Sequence, residues 1–240
     1  MEKRFLIQEQ DIYNNTITIK GDEHNHLANV LRVRVGQTIE CFFNGSDIYE
    51  CQVEQITKQS TTATIIQTRP NLANPQHKVT LFQGLPKSDK LELIAQKCAE
   101  LGLSEIIPFT SQHTIAKPND NKTDRLNKIT ISASKQCGTT AVLQVSSTIT
   151  FKAMLDRLKQ YDVVIFANEK EQTTPLTNIL HGKQNIAIVV GSEGGFSVQE
   201  IEDIIAQGAV SITLGKRILR TETASIVLTS LVMYNLGELN

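Results

Sequence analysis

The spacing of hydrophobic positions along the chain changes near residue 70. Before it, RFLI (4–7), TITI (16–19), TIECFF (38–43), IYECQVEQI (48–56) and TTATIIQT (61–68) are short runs rich in Thr, Ile, Val and Phe. Several alternate apolar with polar residues, a period of two that predicts half-buried strands. One helix interrupts them, in GDEHNHLANVLRVRVG. There Asp22 is placed to cap the start, Leu27, Val30 and Leu31 share a face, and Gly36 marks the return to strand. Five short strands and one helix in so short a stretch predict a small β-barrel.

RPNLANPQHK (69–78), with two prolines, two asparagines and no periodicity, reads as a connector. It divides the chain into a β-rich domain, 1–70, and a second domain, 71–240. In the second, apolar strands alternate with helices. KVTLFQG is a strand, and SDKLELIAQKCAELG sets Leu91, Ile94, Ala95, Cys98 and Leu101 on one stripe, stopped by Gly102. EIIPF (105–109) follows, then a helix through Leu126, Ile129 and Ala133, and the strands DVVIFAN (162–168) and NIAIVVG. Ser197 and Glu200 form a capping box for a helix that turns Ile201, Ile204 and Ile205 inward. SITLG and a last helix over 223–237 complete the pattern. Strands apolar throughout, joined by helices, imply an α/β domain with a mainly parallel sheet covered on both faces.

Composition narrows the function classes. The 240 residues are 40% hydrophobic and 20% charged, ordinary values for a globular protein. No apolar run approaches the roughly 18 residues of a membrane helix, and MEKRFLIQEQDIYNN lacks a signal peptide's apolar core, so a cytoplasmic protein with no membrane partner is expected. A net charge of −1 argues against a uniformly basic nucleic-acid binder and leaves local patches as candidates. These are MEKR (1–4), Arg32 and Arg34 in LRVRVG, and Lys87 and Lys90 in KSDK; each alone reads as a solvated face. None of the four cysteines forms a C-x-x-C pair; Cys98 reads as core, and Cys137 as a small buried hydrophobe rather than a nucleophile. HNH at 24–26 reads as a helix-start pair rather than a metal-ligand pair, and no metal is expected.

Two segments carry the candidate chemistry. NIAIVVGSEGGFSVQEIEDII concentrates Gly191, Gly194 and Gly195 in a strand-to-helix turn. In α/β sheets ligands sit at the carboxyl ends of strands, where glycine lets the backbone approach them. The spacing is neither the dinucleotide fingerprint nor a phosphate-binding loop. LGKRILRTETAS follows another strand and brings together Lys216, Arg217, Arg220 and Glu222, with Thr221 or Thr223 available to cap the last helix.

GSEGGFSVQEIE with LGKRILRTETA resembles the paired signature of SPOUT-type RNA methyltransferases, in the branch that methylates N3 of a uridine in bacterial 16S ribosomal RNA. HNHLANVLRVRVGQTI, LPKSDKLELIAQKCAELG and KITISASKQCG agree in order, so the resemblance spans nearly the whole chain. Ser192 stands where the family usually has proline, and Thr139 where it usually has arginine. The resemblance implies a PUA-like RNA-binding barrel followed by a trefoil-knotted α/β domain that binds S-adenosyl-L-methionine. It implies that three loops surround this cofactor: the turn after VVIFAN with Ala167 and Asn168, the turn with Gly191, Glu193, Gly194 and Gly195, and the segment with Leu214, Gly215, Ile218 and Leu219. Side chains at the glycines are then expected to stand in the adenosine's place. Arg220 becomes the candidate for stabilising charge on the uracil ring, with Thr221 or Glu222 orienting it or relaying the proton, while Glu193 balances the sulfonium or holds its loop. Arg32, Arg34, Lys87 and Lys90 become candidate RNA contacts.

The last helix carries Ala224, Ile226, Val227, Leu228, Leu231, Val232, Met233 and Leu236 on nearly all sides, which predicts either deep burial or, as in typical SPOUT enzymes, a homodimer interface. The partners implied are 16S rRNA within the small ribosomal subunit and a second copy of the chain. The alternative is a non-catalytic RNA-binding or ribosome-assembly protein that keeps the fold.

Overall fold

The computed structural model describes residues 3–119, 121–168 and 176–239, and its chain forms two compact units. The first is Met1–Asn74 with Ser134–Val142; the second is Pro75–Ala133 with Leu143–Asn240. Segment 134–142 groups with the first unit because Asn74 holds it. The Asn74 Oδ1 accepts from Thr139 Oγ1 (2.9 Å), Thr140 N (2.9 Å) and Ala141 N (3.0 Å).

In the first unit the strands are β1 (Arg4–Leu6), β2 (Ile12–Tyr13), β3 (Thr16–Lys20), β4 (Thr38–Phe42), β5 (Ile48–Ile56) and β6 (Ser60–Arg69). They form one sheet in the order β1-β4-β5-β6-β3-β2, antiparallel except for β1 beside β4. Among the described residues the end strands β1 and β2 do not pair, so the barrel is only partly closed. It nevertheless wraps a single core, in which Phe5, Ile17, Ile39, Cys51 and Ala63 meet from five strands. Helix α1 (Gly21–Asn25) begins after Lys20, and Asp22 lies within its first turn rather than capping it. The chain then widens into a turn where Leu31 N–H bonds His26 O, five residues back. That wider turn rotates Val30 away from buried Leu27, leaving it 67% exposed, against the expected shared face.

The second unit runs β7 (Lys78–Gly84), α2 (Lys90–Glu100), β8 (Glu105–Thr110), α3 (Asn121–Cys137), β9 (Gln144–Val145), β10 (Ile149–Thr150) and α4 (Phe151–Leu158). It continues with β11 (Val163–Ala167), α5 (Leu176–Leu180), β12 (Asn185–Val190), α6 (Val198–Ala206), β13 (Val210–Ile212) and α7 (Thr221–Asn235). Its sheet is parallel, ordered β10-β8-β7-β12-β11-β13, with β9 on β8. Alternate residues feed two cores. Leu81, Ile106, Ile165 and Ile188 pack on one face, while Phe82, Ile107, Phe166 and Val189 pack on the other. Both faces are buried, which is why these strands read as continuous apolar runs.

Three helix expectations change. In α6 only Ile204 is fully buried, and Ile205 is 47% exposed because a nine-residue helix lying on the sheet buries a narrow stripe. Cys137, the last residue of α3, is exposed rather than buried. In α7, Ser225, Leu228, Thr229, Val232 and Met233 form the buried stripe, while Leu231 and Tyr234 face outward.

Candidate active site

A cleft of about 550 Å³ opens at the carboxyl ends of β11, β12 and β13. It falls within the roughly 300–1,000 Å³ typical of small-molecule sites, at the sheet edge where α/β proteins place ligands. The expected cofactor residues Ala167, Asn168, Gly191, Glu193, Gly194, Gly195, Leu214, Gly215, Ile218 and Leu219 all line it, as do Arg220 and Thr221. The turn after VVIFAN beyond Asn168 lies outside the described residues. Asn168 is anchored by its N–H to Ile212 O (2.9 Å) and its Nδ2 to Ser211 Oγ (3.2 Å), which fixes one wall.

The glycines in the 191–195 turn answer to their own neighbours. A Cβ on Gly191 would sit 2.8 Å from the Phe196 ring, and one on Gly194 2.7 Å from both the Cβ and the carbonyl oxygen of His113. Phe196 cannot yield easily: it stacks on Phe109 at 6.0 Å and meets Phe166 edge-on at 5.2 Å. His113 is held too. The adjacent Gln112 N–H bonds buried Glu200 (2.7 Å), and His113 Nδ1 lies 3.1 Å from Gly194 O. Gly195 alone needs left-handed backbone (φ +63°) and has open space about a Cβ. Packing within the protein is therefore by itself enough to require glycine at 191 and 194, whatever approaches the turn from the cleft. No such packing applies at Gly195.

The closest approach involves a glycine outside the turn. A Cβ on Gly84, at the end of β7, would lie 2.3 Å from Ser192 N and 2.7 Å from the Gly191 carbonyl carbon. The preceding residue, Gln83, is wholly buried. Its Nε2 donates to Gly84 O (2.9 Å) and Thr221 Oγ1 (2.9 Å), and its Oε1 accepts from Ser225 Oγ. Thr221 Oγ1 in turn donates to Gly191 O at 2.6 Å. The hydroxyl hydrogen of Thr221 is therefore committed, which suits a residue that ties the 191 turn to the start of α7 and not a proton relay. Ser192, where proline was noted as usual, is buried, and its hydroxyl has no partner among the described residues.

Charge in the cleft is organised by Lys90. Its Nζ lies 2.9 Å from Glu193 Oε1 and 3.2 Å from Glu222 Oε2. The Lys87 N–H adds a bond to Glu193 Oε1 at 3.1 Å. Glu222 is thus turned to Lys90 rather than to Arg220, and Lys90 joins two carboxylates. The Arg220 side chain makes no hydrogen bond or ion pair among the described residues, and it is exposed on the rim. Burial pushes the Glu193 carboxyl up, but Lys90 and the backbone N–H groups outweigh it and hold it below its usual value. Glu193 consequently supports its loop at pH above the ordinary carboxylate range, and that support is lost as pH falls through the depressed value. Lys90→Met removes the opposing charge, so the acid limb of ligand binding is expected to move to higher pH. Calorimetric titrations between about pH 4 and 7 measure it, and an unmoved limb refutes the assignment.

Comparison with known proteins decides the family. A family model described as an RNA methyltransferase domain matches residues 73–233, and one described as an RNA methyltransferase PUA domain matches 19–66. Ribosomal RNA small subunit methyltransferase E of Bacillus subtilis is 32% identical over 231 residues, covering 91% of this chain and 90% of its own. The protein of that name from Mesomycoplasma hyopneumoniae is 30% identical, covering 94% and 96%. The chain belongs to the ribosomal RNA small subunit methyltransferase E family. The crystal structure of the Neisseria gonorrhoeae member, bound to S-adenosyl methionine, superposes with a TM-score of 0.89 at 28% identity over 98% of each chain. The fold is accordingly a SPOUT-type α/β methyltransferase domain with an N-terminal PUA-like half-barrel.

Within this family fold the remaining candidates stand as follows. Arg32 and Arg34 are exposed on the half-barrel, with no side-chain partner among the described residues, beside outward-facing Val30 and Val35. Arg32 takes positive φ (+50°), and Gln37 braces the turn by accepting from Arg34 N at 3.0 Å. Lys87 is exposed, with its side chain unpaired among the described residues. Thr139 is buried against Asn74 and presents nothing to a ligand. His24 is buried with Nδ1 2.9 Å from Thr61 Oγ1, a packing role. Sequence reasoning missed Gln83 and Gly84. Gln83 was visible as a polar residue between Phe82 and Gly84 late in the strand KVTLFQG, where burial demands hydrogen-bond partners.

Proposed function

We propose that the protein transfers the methyl group of S-adenosyl-L-methionine to N3 of a uridine in 16S rRNA of the small ribosomal subunit. The observation that carries this is an unpaired guanidinium, Arg220, on the rim of a strand-end cleft whose turn 191–195 offers backbone donors and acceptors. The cleft suits the cofactor: apolar Phe166, Leu214 and Ile218 can flank an adenine, and Glu193 and Lys90 supply charge near the methionine portion. When bound, S-adenosylmethionine supplies an electrophilic methyl carbon on a sulfonium.

Uridine N3–H gives up its proton to solvent water before or during attack, and the charge spreads to the two ring oxygens. Arg220 is placed to hold that charge, a donor fixed where negative charge develops. The N3–C bond forms as the C–S bond breaks, leaving a neutral thioether. Thr221, bridged between Gln83 and Gly191, keeps the Arg220 segment and the cofactor turn in register. Arg32 and Arg34 would contact RNA phosphates, and the trefoil knot belongs to the same reading. The test is methylation of small subunits purified from a strain lacking this chain. Mass spectrometry should find one 3-methyluridine per 16S rRNA, and its absence refutes the proposal.

The same reading includes a cytoplasmic homodimer. Leu231 (40% exposed) and Tyr234 (62%) extend the half-buried Ile226 and Val227 into an apolar outer face on α7. Leu231→Glu with Tyr234→Glu is expected to halve the sedimenting mass, and dimers that persist place the contact elsewhere.

A further inference from the structure

A second hollow, of about 250 Å³, lies beside the cleft on the same strand-end edge, beyond β7 and β8. Its floor is apolar, from Leu85, Leu91, Pro108 and Leu126, of which Leu85, Leu91 and Leu126 belong to the unit's core. Its rim is basic: Lys87, Lys117 and Lys122 are exposed, and their side chains have no partner among the described residues. The opposing carboxylate in its lining, Glu92, is already bound by Arg125 at 2.8 Å. Ser88, Ser146 and Thr148 add hydroxyls, and the Ser146 hydroxyl donates to Glu105, which leaves its oxygen free to accept. The hollow is smaller than the roughly 300–1,000 Å³ of sites for whole small molecules.

Segment 85–92 is a wall common to both cavities. Leu91 and Lys87 line the hollow, Lys90 lines the cleft, and Lys87 N–H binds Glu193 of the cofactor turn. Ser88 within this segment takes positive φ (+57°), an uncommon conformation for a residue with a side chain that often marks functional turns. An apolar floor under a ring of uncommitted cations matches a flat base carrying phosphates, the chemistry of a single unpaired nucleotide.

Resting on the function proposed above, we propose that this hollow binds the nucleotide adjoining the target uridine and so contributes to choosing the target. The base lies on the Leu85–Leu126 floor, and its flanking phosphates meet Lys87, Lys117 and Lys122. The RNA strand then passes directly from the hollow to the cleft over segment 85–92.

The test uses the full chain, small subunits from a strain lacking it, and two variants. Thr148→Trp fills the hollow from a half-buried position, and the double variant Lys117→Ala/Lys122→Ala removes rim charge. The filling variant should raise KM for subunits severalfold, because the base loses its apolar floor, with the salt dependence unchanged. The lysine variant should raise KM and lower the salt slope by about two. Both should retain wild-type affinity for S-adenosylmethionine, which shows that the domain is folded. A filling variant with unchanged KM overturns the proposal, even if the lysine variant is impaired, because the lysines then only steer RNA. A wild-type protein that methylates no subunits refutes the proposed function instead, so the two failures are distinct.

Discussion

Gly84→Ala weakens S-adenosylmethionine binding about a hundredfold or more. The added Cβ lies 2.3 Å from Ser192 N, whereas ordinary contact begins near 3.4 Å, so the 191–192 backbone must retreat by about 1 Å. Neither side gives way easily. Gly84 ends a central strand hydrogen-bonded to β8 and followed by Leu85 N–H to Phe109 O (2.8 Å), and Gly191 is held by the Thr221 hydroxyl. Displacements of that size in a positioning element typically cost about two orders of magnitude in function. Calorimetry measures the affinity, and thermal unfolding checks that the domain survives. Gly195→Asn is the informative contrast. Asparagine tolerates φ +63°, and no protein atom lies within 4 Å of its Cβ, so the free protein should be little changed. Weakened binding there would show the ligand approaching Gly195 itself. A Gly84→Ala protein that is folded and binds as tightly as wild type would refute the claim that this crossing shapes the site.

What could be read from the sequence divides along physical lines. Strands β7, β8, β11 and β12 announced themselves because both faces of a parallel sheet are buried, so apolar residues run on consecutively instead of alternating with polar ones. The Ser197–Glu200 capping box was legible because both partners lie within one helical turn, and the bonds form as expected (Glu200 N to Ser197 Oγ, 3.3 Å; Ser197 N to Glu200 Oε2, 2.9 Å). The glycine turn was found for its spacing, but the packing that also demands glycine there was not legible. What crowds Gly194 is His113, 81 residues away, and what crowds Gly84 is a backbone more than 100 residues on. No local pattern encodes contacts between strand ends that only the sheet order brings together. The partners of Lys90 were hidden for the same reason. A lysine in KSDK looks like any solvated cation until Glu193 and Glu222, from two other strand-end segments, arrive beside it.

Arg220→Ala retains S-adenosylmethionine affinity and loses turnover by roughly a hundredfold or more, the usual consequence of deleting a donor aimed at developing charge. The geometry separates binding from chemistry. Arg220 precedes α7 in extended conformation (φ −65°, ψ 152°), and its side chain caps no helix group. Its backbone carbonyl accepts from Ala224 N–H at 2.8 Å, a bond that alanine also makes, so truncation should leave the start of α7 in place. The neighbouring charges Lys90, Glu193 and Glu222 pair with one another, whereas the Arg220 side chain is uncommitted and able to follow the uracil ring. Single-turnover methylation with saturating cofactor isolates the chemical step, and calorimetry reports the affinity. Arg220→Lys discriminates further. A lysine keeps the charge but not the planar fork that spans two ring oxygens, so it should restore only part of the rate. Full activity in the alanine variant would remove Arg220 from the mechanism. Loss of cofactor binding in both variants would make it a binding residue, and charge on the uracil ring would then have to be met by a group outside this segment.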